Sequence, residues 1–91
     1  MVRGRARQAR SVPRFLLDHR HEPHECGAAF AAWKGFDSPL RRCVALASCL
    51  YGGHAIWFAV EAADADGALA LLPPFLSTRT TVTPVREEAI P

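Results

Sequence analysis

The sequence predicts an α+β domain with the element order β-α-β-β-α-β, an antiparallel sheet carrying two helices on one face. Three observations point there. Residues 15–21 alternate as a strand does, with Phe15, Leu17, His19 and His21 on one side and Leu16, Asp18 and Arg20 on the other. Gly52-Gly53 separates two apolar runs and marks a hairpin, since glycine supplies the positive φ angles that hairpin turns need. Short stretches with helical spacing follow the first and third strands.

Each element has its own signal. Pro23 stops the first strand and suits the opening turn of a helix, which places His24 and Cys26 at that helix's start. Cys26, Ala29, Phe30 and Trp33 then recur at helical spacing, and Gly35 is a fair stop. Residues 36–42 read as a loop because Asp37, Ser38 and Pro39 cluster there. Residues 43–50 carry no charge and predict a strand covered on both faces, with Cys43 and Cys49 as small buried hydrophobes. The next strand, residues 54–61, puts Ile56, Phe58 and Val60 on one face and Ala55, Trp57, Ala59 and Glu61 on the other. Asp64 is placed to cap a helix over residues 65–72, with Ala65, Ala68, Leu69 and Leu72 inward, and Pro73-Pro74 ends it. The last strand spans residues 78–86, where Pro84 argues for a sheet edge or a bulge.

Composition narrows the class. Ninety-one residues, 49% hydrophobic, suffice for one domain, expected over residues 13–91. Arg3, Arg5, Arg7 and Arg10 account for the net charge of +2, leaving seven basic against nine acidic residues elsewhere. Residues 1–12 therefore read as a disordered basic tail, and nucleic acid is not an expected partner. No apolar run is long enough to span a membrane, and the first residues lack the apolar segment of a secretory signal, so a cytoplasmic location is expected. Three cysteines fit reduced thiols there.

The element order is that of the ferredoxin-like split βαβ arrangement. Its outer sheet face would carry Trp57, Ala55 and Ala59, too apolar to stay wet, so a homodimer is expected. The opening Arg14-Phe15-Leu16-Leu17, the strand end Phe58-Ala59-Val60-Glu61-Ala62, the Asp-capped helix and the closing Val82-Thr83-Pro84-Val85-Arg86 resemble the small ferredoxin-like nickel-binding proteins and their uncharacterised relatives. The dimeric α+β barrel proteins are a more distant likeness. What the resemblance implies is a small cytoplasmic dimer with a transition-metal or small-ligand site, but it transfers no individual ligand.

The residues themselves nominate a metal site. His19 and His21, two apart on a strand, project to one side and can share an ion, with His24 and Cys26 completing the set. Imidazole and thiolate suit nickel, zinc, copper or cobalt. A rival reading is a cofactor-independent enzyme or small-ligand binder, with a cavity walled by Trp57, Phe15 and Phe58, with His19, His21 or Glu61 moving protons and with His54 as a further cavity candidate. The third reading is a non-catalytic interaction module. No phosphate loop or nucleophile motif favours an enzyme.

Overall fold

The structure, a computed structural model, describes residues 12–91. The basic segment expected at residues 1–12 lies, apart from Val12, outside the described residues. The first strand, β1 (Arg14–Arg20), is central. On one side it pairs with β3 (Ala55–Glu61), matching Leu17 to Phe58 and His19 to Ile56. On the other it pairs with β4 (Thr80–Val85), matching Leu17 to Val82 and His19 to Thr80. β2 (Leu46–Ala47) joins the far edge of β3. The sheet order is β2-β3-β1-β4, every neighbouring pair antiparallel.

The alternation in β1 sorts its residues as the sequence predicts. Phe15, Leu17 and His19 are buried, and across the ladder Val60, Phe58 and Ile56 fall on the same side. Against that face pack Ala68, Leu72 and Leu76, brought by the chain between β3 and β4. Leu17 and Leu76 are fully buried, each worth about 1.5–3 kcal/mol of apolar transfer. Helix α1 (Cys26–Ala31) buries Ala29, while Trp33 just beyond it packs against the core.

Local chemistry accounts for the element ends. The Asp64 carboxylate accepts from the Gly67 N–H at 2.7 Å and starts α2 (Ala65–Leu69). The Ser38 hydroxyl accepts from Leu40 N at 3.2 Å and donates to Leu71 O at 2.7 Å, so the 3₁₀ turn Pro39–Arg42 is tied to the residues after α2. Gly35 takes φ +76, the left-handed turn that closes the first helical region. β4 is an edge strand, which is why Pro84, lacking an N–H, is accommodated.

Several expectations need correction. Residues 43–50 do not form a strand covered on both faces. Only Leu46–Ala47 pair, at the sheet edge, and Val44 and Leu50 are 97% and 96% exposed. An edge strand has one neighbour, and an uncharged sequence cannot announce whether anything lies above it. Cys43 is exposed rather than buried, and so is Phe30, at 54%. The second helix ends at Leu69 with Ala65 exposed, and a third, α3 (Pro74–Ser77), opens on the proline that was expected only to break one. There are thus three helices, not two, among the described residues. None is long and apolar enough to cross a membrane.

Candidate metal centre

Where β1 ends and β3 begins, the backbone N–H of His21 donates to His54 O at 3.1 Å, bringing two distant segments side by side. From His21 the chain passes through the 3₁₀ turn Pro23–Glu25 into α1, whose first residue is Cys26. That turn is held by a reciprocal pair: Glu25 N donates to Glu22 O at 2.8 Å, and Glu22 N donates to Glu25 Oε1 at 2.9 Å. Glu25 also receives Arg79 at 3.1 Å. The Glu22 N–H and the Arg79 guanidinium together hold its carboxyl below the usual range.

The other side is built by the loop from Ser48 to His54. The Ser48 carbonyl accepts from both Tyr51 N and Gly53 N at 2.9 Å, and the Ser48 Oγ accepts from Ala55 N at 3.1 Å. Cys49 opens a 3₁₀ turn there, and Gly52 closes it at φ +85. Gly53 is required for another reason. A Cβ there would collide with Ser48 Oγ and lie 2.8 Å from Ser48 Cβ. His54 itself holds φ +51, a left-handed conformation that non-glycine residues adopt only when their surroundings impose it.

These two corners place one ligand atom each from His21, Cys26, Cys49 and His54 within 4.8 Å of one another. The His21 Nε2 to Cys49 Sγ distance is 3.6 Å. Bonds of about 2.3 Å to sulfur and about 2.0–2.1 Å to nitrogen, at a tetrahedral angle, put those two atoms about 3.6 Å apart. His54 Nδ1 is the buried side-chain nitrogen that finds no hydrogen-bond partner among the described residues. Leaving such an atom unpaired costs about 1–3 kcal/mol, which a bound ion would relieve. Two thiolates and two neutral imidazoles around a divalent ion would also sum to zero charge, suiting a half-buried position.

The environment favours the neutral form of His21. Burial pushes the pKa of His21 down, and the nearby charge of His54 adds to this. Burial also lowers His19, against the opposing hydrogen bond to Leu76. The Cys49 thiol is pushed up, first by burial and then by its neighbour Cys26, so ion binding there must displace protons.

The four sequence candidates divide. His21 and Cys26 belong to the group, whereas His19 and His24 do not. His19 does lie on the same side of the chain as His21, but its Nε2 is 2.9 Å from His21 Nδ1 and its Nδ1 faces Leu76 O at 3.3 Å, so both its nitrogens are engaged. His24 is exposed in the 3₁₀ turn. The other two members of the group are His54, nominated for a ligand cavity, and Cys49, assigned to the core. A signal for them was present: His21 and Cys26 are separated by four residues, as are Cys49 and His54, with Gly52-Gly53 inside the second pair.

Trp57, Phe15 and Phe58, the expected cavity walls, do not share a side of the sheet. Phe15 and Phe58 are buried on the helix side of the sheet, and the register places Trp57 on the other. There the Arg20 guanidinium lies 5.8 Å from the Trp57 ring centroid and is bonded to Asp18 at 2.8 Å. Glu61 is exposed at an open depression of about 630 Å³ that Trp57 does not line. Comparison with protein-family profiles, with curated proteins and with solved structures gives no match to this chain.

Proposed function

We propose that this protein binds a divalent transition-metal ion through His21, Cys26, Cys49 and His54. The observation that carries the reading is the convergence of four ligand atoms within 4.8 Å from two separate corners of the chain. A mixed two-sulfur, two-nitrogen set of this kind suits zinc first, with cobalt, nickel and copper as competitors. Four protein ligands close a tetrahedral shell and leave no open position for a substrate, so the reading is of a binding or structural site and not a hydrolytic one.

The same reading takes the fold to be ferredoxin-like, supported by the sheet order β2-β3-β1-β4 with antiparallel neighbours. It takes the chain to be a homodimer through the outer sheet face, supported by Leu46, Ala59 and Val85, all exposed there beside the half-buried Leu16 and Trp57.

The test is metal content by mass spectrometry of untagged protein purified without chelating resin, followed by competition titration of the reduced apoprotein. One equivalent of zinc, held far more tightly than by an urea-unfolded control, is expected. Binding no tighter than the unfolded control would remove the reading.

A further inference from the structure

Behind the metal group runs a buried line of polar contacts that the four ligands do not explain. His21 Nδ1 is 2.9 Å from His19 Nε2. His19, with no exposed surface, has Nδ1 3.3 Å from Leu76 O and 3.4 Å from Thr80 Oγ1. The Thr80 hydroxyl donates to Leu76 O at 2.6 Å.

The proton positions follow from these contacts. A carbonyl oxygen only accepts. The Thr80 hydroxyl has spent its hydrogen on Leu76 O, so its oxygen presents a lone pair to His19. Both neighbours of His19 Nδ1 are therefore acceptors, and Nδ1 carries the hydrogen. The Nε2 of neutral His19 is then an acceptor, and the only group facing it among the described residues, His21 Nδ1, must donate. His21 in turn is left with a bare lone pair on Nε2, the atom that lies 3.6 Å from Cys49 Sγ. A neutral imidazole that donates at one nitrogen and offers the other to an ion has its tautomer and ring orientation set in advance.

We propose that His19, backed by Thr80 and the Leu76 carbonyl, is a positioning residue that locks His21 into the Nδ1–H tautomer and aims its Nε2 at the metal. This rests on the metal reading above. It also explains why a histidine fills a fully buried place in the core opposite Ile56, where an aliphatic side chain would pack without polar atoms to satisfy. Glutamine is an uncharged replacement able to do both jobs, accepting with Oε1 from His21 and donating with Nε2 to Leu76 O.

Cobalt(II) serves as the probe because its visible absorption reports the coordination shell. His19→Leu should weaken cobalt affinity by about 10–100-fold, the usual effect of removing a partner behind a metal-bound histidine. His19→Gln should restore most of that loss, which a purely structural role would not require. Long-range ¹H–¹⁵N correlation of the wild-type apoprotein near neutral pH should show His21 protonated on Nδ1. This measurement needs no variant and stands even if His19→Leu does not fold. His21 protonated on Nε2, or His19→Leu binding cobalt as the wild type does, would overturn the proposal while leaving the metal site intact. A wild-type protein that takes no cobalt would instead remove the metal reading and the positioning role with it.

Discussion

His21 and His54 are joined twice: the N–H of His21 donates to the carbonyl of His54 at 3.1 Å, and their rings meet edge to face with centroids 5.5 Å apart. One backbone bond thus sets two imidazoles, 33 residues apart in the chain, against the same small volume, where Cys26 and Cys49 meet them.

If those four side chains share an ion, each is needed. Cys49→Ser and His54→Ala should each lower zinc affinity by more than the 10–100-fold typical of outer-shell changes, since each removes a direct bond. His24→Ala and Cys43→Ser, both exposed and outside the group, should bind as the wild type does. Competition with a chromogenic chelator measures all four.

Binding should be visible as stability. An ion at about 100 times its dissociation constant adds about 2.7 kcal/mol to the native state. For a domain of this size that is a rise in Tm of roughly 10–20 °C, reversed by chelator. Hydrogen exchange should slow most at residues 48–54, the loop that the ion would clamp to the start of α1.

The metal-free protein should weaken on mild acidification. Burial lowers the pKa of both His19 and His21, while in the unfolded chain each titrates near about 6.5. Between those values the unfolded chain binds more protons than the native one, so stability rises with pH in that window. It should therefore be full above about pH 6.5, fall as pH drops below it, and level off beneath the lowered native values. Urea unfolding at a series of pH values tests this, and His19→Gln should flatten the dependence.

The loop itself offers a sharper test. Gly53→Ala forces a Cβ onto Ser48, so it should destabilise by about 1–3 kcal/mol and weaken metal binding with it. Gly52→Ala, at φ +85 with open space around it, should cost only the backbone strain, about 1–2 kcal/mol. Chemical denaturation of both variants, each with and without zinc, separates the two effects.

Assembly is tested at Trp57. In a dimer buried through the outer face, Trp57→Glu would place a carboxylate in the interface and should give monomer or aggregate by light scattering. Wild-type protein that is monomeric at high concentration would remove the dimer from the proposed function.

The first strand was legible in the sequence because a strand shows its faces as a period of two, and β1 obeys it from Phe15 to Arg20, with His21 just beyond still on the buried side. The same holds for Ile56, Phe58 and Val60, for the Asp64 cap, and for the edge position of Pro84. Each of these depends on a residue and its near neighbours. The covering of residues 43–50 was not legible, because an uncharged run looks alike whether it lies in a core or at an exposed edge. The His/Cys group was legible by half. His21 and Cys26 lie on one corner and could be named from the strand end and Pro23. Cys49 and His54 enter only because β3 pairs antiparallel with β1 and its loop returns beside His21. His19 was drawn into the candidate set by its spacing, which is the same for a ligand and for the residue that holds a ligand. Which of the two it is depends on Leu76 and Thr80, 57 and 61 residues away, and only the folded chain brings their oxygens to its ring.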